Sequence, residues 1–312
     1  PIVGMTGNIG NPAGFHAVSD CDVLVMLGTD FPYDEFLPDG RPIIQVDNRL
    51  HHIGRRAPVT LGIAADVGET VRARLDKLEP GRSARFRDHL HPQLFASAVS
   101  DAAASDAIFA FDVGECTVWL ARQMEMAGER RMVSGFNHGS VGCGLPVSLG
   151  AAALHADREV WALCGDGGFG MSLADFVTAA RYGWPIKVIV LNNSEFGFVK
   201  MEMETSGMAH DFKATGLVNP DFAAFARTCG GDGVRVAHAA DIGPAIARAK
   251  ASDKPFIIDA IVSSGELVMP PKIKTGEAWG FGMAKVKEGL LGVRGDHEVW
   301  EGWREEYRAL MG

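Results

Sequence analysis

The sequence is short of the features that mark several large functional classes. Its 312 residues hold 5 cysteines and no CxxC pair. Neither a disulfide framework nor a cysteine zinc site has its ligands, so reduced, buried thiols in a cytosolic protein are expected. No run approaches the ~18 uninterrupted apolar residues of a membrane-spanning helix. Lys and Arg (30) are outnumbered by Asp and Glu (39), and the formal charge of -9 argues against nucleic acid as the main partner, since phosphate binding needs a basic face. Internal repeats, low-complexity tracts and collagen-like glycine spacing are absent. The chain opens on Pro1, and no signal-peptide pattern follows it.

What is present points to two α/β units. With 47% apolar residues and 38 glycines, the chain is long enough for about two domains of ordinary size. Residues 22–27 (DVLVML) and 42–47 (PIIQVD) read as buried parallel strands, and 66–75 (DVGETVRARL) as a helix starting at Asp66. These fall in a first unit, 1–79. The composition then turns charged and Pro/Gly-containing, which places a linker at 80–91. His89 and His91 in it lack the further ligands that a metal site needs. A second unit, 92–264, carries strand patterns at 107–112, 159–164, 186–191 and 255–261, with helical patterns such as 172–182 and 221–228 between them. Strands alternating with helices predict an α/β fold of two parallel-sheet, three-layer domains, followed by a C-terminal tail at 265–312.

Residues 159–193 (EVWALCGDGGFGMSLADFVTAARYGWPIKVIVLNN) read as strand, glycine turn, helix, a Gly183-Trp184-Pro185 stop, and a second strand ending in Asn192-Asn193. A right-handed crossover makes the two strands parallel, so Asp166 and Asn193 emerge on one edge, where open α/β sheets bind ligands. Gly165, Gly167 and Gly170 satisfy a dinucleotide fingerprint, yet Asp166 between the first two would repel a bare pyrophosphate. A hard divalent cation between carboxylate and phosphate oxygens removes the conflict, and Mg2+ has that ligand preference. Asn193 then offers an amide oxygen, while Gly167 and Gly168 let backbone N–H groups approach a phosphate beside a helix N-terminus. A serine-nucleophile reading of residues 138–142 (HGSVG) fails for want of its first glycine.

The GDG…NN arrangement resembles the diphosphate motif of thiamine diphosphate enzymes. Residues 134–150 (SGFNHGSVGCGLPVSLG), 164–170 (CGDGGFG), 192–203 (NNSEFGFVKMEM) and 267–272 (LVMPPK) are similar to the pyruvate dehydrogenase (quinone)/pyruvate oxidase branch of that family. So are the GMTGNIG, LGTDFPY and IIQVD segments, and the likeness covers nearly the whole chain. The resemblance implies thiamine diphosphate, Mg2+ and FAD as cofactors. It implies Asp166, the Asn193 side chain and the Glu195 carbonyl as metal ligands, with Gly114, Glu115, Gly165, Gly167 and Gly168 around the diphosphate. The Asn137-His138-Gly139-Ser140-Val141 loop is implied to face the thiamine. There the Gly139 carbonyl would accept from the 4'-amino group, and Val141 would wedge under the ring where many members carry Met. Glu115 departs from the neutral residue usual at its position. Phe198 and Glu202 are implied to line the reaction pocket, against the plainer alternative of a buried aromatic and a solvated helix charge. His138 stays open between proton donor and ordinary hydrogen-bonded histidine. In the first unit, Gly4, Gly7, Gly28 and Thr29 would meet the phosphate and ribityl parts of FAD, Asp47 its ribose and Asp66 its adenine.

The implied reaction is oxidative decarboxylation of pyruvate to acetate and CO2, with electrons passing through FAD to a quinone. An acetolactate synthase-like carboligase and a non-catalytic cofactor-binding subunit are the alternatives. The family's glutamate-bearing pyrimidine-binding domain has no counterpart among these residues, so the isolated chain is expected not to decarboxylate pyruvate. A homodimer or tetramer is implied for the complete enzyme. In the tail, Trp300, Trp303, Tyr307 and Leu310 share one helix face. It either packs on its own domain or makes reversible peripheral contact with the inner face of the cell membrane. Asp296, Glu298, Glu301, Glu305 and Glu306 outnumber Arg304 and Arg308, which disfavours anionic lipid.

Overall fold

The computed structural model describes residues 6–8, 10–67, 90–264, 268 and 275–293. Outside the described residues lie Gly4, most of the helix expected at 66–75, residues 80–89 of the linker with His89, the LVMPPK segment apart from Val268, and the tail from 294 with Trp300, Trp303, Tyr307 and Leu310. The chain divides into two units, residues 1–84 with 269–273 and residues 85–268 with 274–312.

In the first unit, helix α1 (Pro12–Ser19) starts where the Asn11 side chain accepts from Gly14 N at 2.6 Å and proline takes the first turn, satisfying a helix end that has no internal partners. Strands β1 (Leu24–Leu27), β2 (Ile43–Asp47) and β3 (Leu61–Ala64) form a parallel sheet in the order β1-β2-β3. Strand β3 was not anticipated: LGIA is four residues long and mostly exposed, so it carries little of the apolar signal that betrays a strand.

The second unit runs α2 (Pro92–Ala102), β4 (Ile108–Phe111), α3 (Glu115–Gln123), β5 (Arg131–Ser134), α4 (Gly144–Leu154), β6 (Val160–Gly165), α5 (Asp166–Ser172), α6 (Phe176–Tyr182), β7 (Lys187–Asn192), α7 (Gly197–Thr205), α8 (Phe212–Thr215), α9 (Phe222–Thr228), β8 (Asp232–Val236), α10 (Ile242–Ala251), β9 (Phe256–Ile261) and α11 (Thr275–Val293). Its sheet has the order β5-β4-β6-β7-β9-β8, with every neighbouring pair parallel. Alternate residues of one strand feed two different cores. From β6, Trp161 and Leu163 join Phe95, Val99, Leu120 and Ile246 of α2, α3 and α10. Val160, Ala162 and Cys164 join Leu145, Phe169, Phe176 and Phe222 of α4, α5, α6 and α9. Helices therefore cover both faces of a parallel sheet, giving the three layers expected. The chain turns back across the sheet between β4 and β6, and such a switch point opens a crevice at the strands' C-terminal ends.

Two local expectations differ from the structure. The glycine run after β6 is not a turn: α5 begins at Asp166, directly after Gly165 in extended backbone (φ -76°, ψ 157°). The cysteines are free, but only Cys116 and Cys164 are buried; Cys21, Cys143 and Cys229 are half-buried. Among the described residues no helix is long and apolar enough to cross a membrane.

Candidate functional site

A cavity of about 230 Å³ lies at the switch point. Its wall takes Val113, Gly114 and Glu115 from the β4–α3 turn, Gly165 to Gly168 from the β6–α5 junction, and Asn193, Glu195 and Phe196 from beyond β7. Phe198 of α7 and the loop residues Gly139 and Val141 complete much of the rest. Strands β6 and β7 are adjacent and parallel, so Asp166 and Asn193 leave the sheet side by side.

Asp166 is the electrostatic centre of this wall. It is 2% exposed, and its carboxylate accepts only from neutral donors: Gly167 N on Oδ1 (2.9 Å), and Ser194 N (2.7 Å) and Asn219 Nδ2 (2.6 Å) on Oδ2. Burial pushes its pKa up to about 6, against the pull of those hydrogen bonds. Ser194 donates from a left-handed backbone (φ 59°), the one such non-glycine residue among those described. That conformation costs of order 1 kcal/mol and persists at sites that use it. Asn219 also gives its Nδ2 to Asn192 Oδ1 at 3.0 Å, and Asn192 donates to the fully buried Asp259 at 2.9 Å. A buried carboxylate with no cation among its hydrogen-bond donors, next to an amide oxygen, is a donor set that suits a hard divalent ion.

Asn193 and Glu115 meet across the cavity. Asn193 Nδ2 donates to Glu115 Oε2 at 3.3 Å, and its Oδ1 accepts from Glu195 N at 3.0 Å. Burial pushes Glu115 up to about 8, with Asp166, Glu195 and Glu204 adding repulsion and Lys200 opposing it. A carboxyl whose pKa is raised by folding holds its proton more tightly when folded, so its favourable contribution is complete below the unfolded value and is lost as pH climbs through the folded one. The metal-free chain is therefore expected to gain melting temperature on acidification from about pH 8.5 to about pH 5.5, and Glu115→Gln to flatten that slope. Thermal scans across this range check it, and an unaltered slope in Glu115→Gln would contradict it.

Close approach explains two of the glycines. An added Cβ on Gly167 would stand 2.4 Å from the Phe196 ring, and one on Gly168 would stand 2.0 Å from Asp112 Oδ2. Asp112, 1% exposed, accepts on Oδ1 from Val113 N (2.8 Å) and Gly142 N (2.7 Å), while Oδ2 has no hydrogen-bond partner. Burial raises its pKa. Asp112 thus ties the loop carrying Gly139 and Val141 to the end of β4.

The structure brings Asp166, Asn193, Glu195, Gly114, Glu115, Gly139, Val141, Gly165, Gly167, Gly168 and Phe198 to one cavity. It does not bring Asn137, His138 or Glu202 to that wall; all three are exposed. On α7 the buried face belongs instead to Lys200 and Glu204, one turn apart, which leaves Glu202 toward solvent. In the first unit, Gly28 N donates to Val46 O at 2.8 Å, the Thr29 carbonyl accepts from Gln45, and Asp66 is exposed. Gly7 has φ 95° and an added Cβ there would meet the Phe31 ring. Asp47 is 1% exposed, and its carboxylate is taken by Arg49 N at 2.8 Å and lies 3.4 Å from His52 Nδ1. Sequence reasoning missed Asn219 and the fixing role of Asp112. The Asn219-Pro220 pair signalled only a turn.

Residues 112–260 match the family model described as the thiamine pyrophosphate enzyme C-terminal TPP binding domain, and residues 1–74 match the thiamine pyrophosphate enzyme central domain. The chain belongs to the thiamine pyrophosphate enzyme family. The C-terminal TPP binding domain spans the cavity wall from Val113 to Val199. YdaP of Bacillus subtilis (strain 168), whose name describes a thiamine pyrophosphate-containing protein, is 36% identical over 308 residues, 92% of this chain and 53% of its own length. The acetolactate synthase large subunit of Corynebacterium glutamicum is 30% identical over 304 residues, 86% of this chain and 48% of its own. Pyruvate oxidase of Lactiplantibacillus plantarum is 24% identical over 303 residues, 88% of this chain and 50% of its own. The thiamine diphosphate-dependent 4-hydroxybenzoylformate decarboxylase of Rhodococcus jostii RHA1 shares the fold, with a TM-score of 0.66 over 80% of this chain and 50% of that one at 24% identity. The chain spans about half the length of these relatives.

Proposed function

We propose that this chain supplies the diphosphate- and metal-holding half of a thiamine diphosphate-dependent enzyme that acts on a 2-keto acid, with pyruvate as substrate. The observation that carries the reading is Asp166, a buried carboxylate whose hydrogen-bond donors are all neutral, at the strand end beside Asn193. Asp166, the Asn193 amide oxygen and the Glu195 carbonyl would hold Mg2+, and Gly114, Gly167 and Gly168 would border the diphosphate. When bound, thiamine diphosphate supplies the carbon nucleophile and electron sink that 2-keto acid decarboxylation needs. The chain's own residues orient and enclose: Ser194 and Asn219 fix the Asp166 carboxylate, Asp112 fixes the loop bearing Val141, and Phe198 gives the cavity an apolar side.

Two fates of the substrate carbon are consistent with that site. The motif likeness favours oxidation to acetate through FAD to a quinone at a membrane surface, in an oligomeric enzyme. The 30% identity to an acetolactate synthase large subunit favours transfer to a second keto acid. The FAD assignment fits the first unit only in part, because Oδ1 of the buried Asp47 is taken by Arg49 while Oδ2 has no hydrogen-bond partner. Anaerobic mixing of pyruvate with the full-length enzyme, thiamine diphosphate, Mg2+ and FAD separates the two. Bleaching of the flavin band supports the oxidase, and acetolactate formation with the band intact supports the carboligase. Neither outcome would refute the pyruvate reading.

A further inference from the structure

Behind the cavity, the Glu195 side chain turns away into a buried charged network. Its Oε1 accepts from Thr215 Oγ1 at 2.8 Å and meets His210 Nε2, while Oε2 pairs with Lys200 Nζ at 3.3 Å. These contacts hold Glu195 below the usual carboxylate range: burial raises it, and the His210 and Lys200 interactions outweigh that. The His210 backbone N–H donates to Glu288 Oε1 at 2.9 Å, and Lys285 Nζ reaches Glu288 Oε2 and Glu204 Oε1, each at 2.9 Å. Glu195, Lys200, Glu204, His210, Thr215 and Glu288 are all buried. Lys285 and Glu288 belong to α11, beyond residue 260, where the matched family segment ends. That helix is seated on α7 by Gly280, where an added Cβ would stand 1.9 Å from the Thr205 carbonyl oxygen.

Burying polar and ionisable groups this deeply is costly unless they are mutually paired, so such a network tolerates few alternative geometries. Glu195 follows the left-handed Ser194, and its backbone is bridged to residues 215–217, where Phe196 N donates to Thr215 O at 2.9 Å and Leu217 N to Ser194 O at 2.8 Å. We propose that helix α11 is a positioning element of the metal site: Glu288 holds His210, His210 and Lys200 hold the Glu195 side chain, and that anchor keeps Asn193 and the Glu195 carbonyl toward the cavity. The inference rests on the reading of this cavity as the diphosphate and metal site.

The test uses the 312-residue chain, titrated with thiamine diphosphate in Mg2+, and amide hydrogen exchange at residues 193–197 without ligand. Glu288→Ala is expected to weaken binding about tenfold and to speed that exchange about tenfold. Glu288→Gln keeps an acceptor for His210 N–H and is expected to restore both to within about threefold. Gly280→Ala leaves every charge in place and raises the intrinsic helix propensity of α11, yet is expected to give the same losses because it unseats the helix from Thr205. Affinity and exchange within about twofold of the parent in folded Glu288→Ala and Gly280→Ala, whatever their melting temperatures, would overturn the proposal. Should Glu288→Ala not fold, Gly280→Ala decides alone. Absence of Mg2+-dependent binding in the parent counts against the proposed function, and the exchange measurement, which needs no ligand, then decides the role of α11.

Discussion

Replacing Asp166 by alanine is expected to weaken Mg2+-dependent thiamine diphosphate binding by at least about 100-fold, or about 2.7 kcal/mol. Asp166 supplies the formal negative charge through which a divalent ion would be drawn to the end of β6, and burial at 2% exposure leaves little water to screen it. Ser194, Gly167 and Asn219 already hold its two oxygens, so little ordering remains to be done when an ion arrives. Asp166→Asn retains the shape and one acceptor but not the charge, and should lose affinity nearly as far; because its NH2 group faces a buried N–H donor, it should also lose some stability. Isothermal titration of parent and both variants checks this. Affinity retained in Asp166→Asn would mean that shape, not charge, holds the coenzyme.

The second large effect is steric. Gly168→Ala is expected to destabilise the chain by about 1–3 kcal/mol and to disturb the loop that carries Val141, since overpacking a filled site forces neighbours off their minima. The new methyl would stand 2.0 Å from Asp112 Oδ2. Asp112 cannot swing clear cheaply: it is a short side chain, 1% exposed, with its other oxygen pinned by Val113 N and Gly142 N. Gly170→Ala, in the same helix with nothing within 4 Å of its added Cβ, is the internal control and should be neutral or slightly stabilising. Denaturant midpoints for the two variants test the difference, and equal midpoints would contradict the packing argument.

Much of the fold could be read from the amino acids because a parallel sheet buried on both faces writes its strands as continuous apolar runs. Strands β4, β6, β7 and β9 have that form and are buried almost throughout. The edge strands β5 and β8 do not: Arg131, Met132 and Val133 of β5 are exposed, and Gly233 and Arg235 interrupt β8. The glycines after β6 read as a turn because glycine usually serves an unusual backbone angle. Here Gly167 and Gly168 serve close contact inside a helix instead, which no local pattern reveals. The pairing of Asp166 with Asn193 was accessible because a right-handed crossover fixes which strand ends are neighbours. Asn219 and His210 reach the same site from separate loops, and no spacing rule links them to Asp166 or Glu195. The resemblance implied a role for the carbonyl of Glu195, while its side chain goes to Thr215, His210 and Lys200, a network that α11 reaches from far along the chain through Glu288.

The most direct measurement is thiamine diphosphate affinity of the parent chain with Mg2+ present and with Mg2+ removed by EDTA. The account predicts saturable binding in Mg2+ and at least about a 100-fold loss in EDTA, restored by adding Mg2+ back. Equal affinity in both conditions would contradict a divalent ion held between Asp166 and the diphosphate.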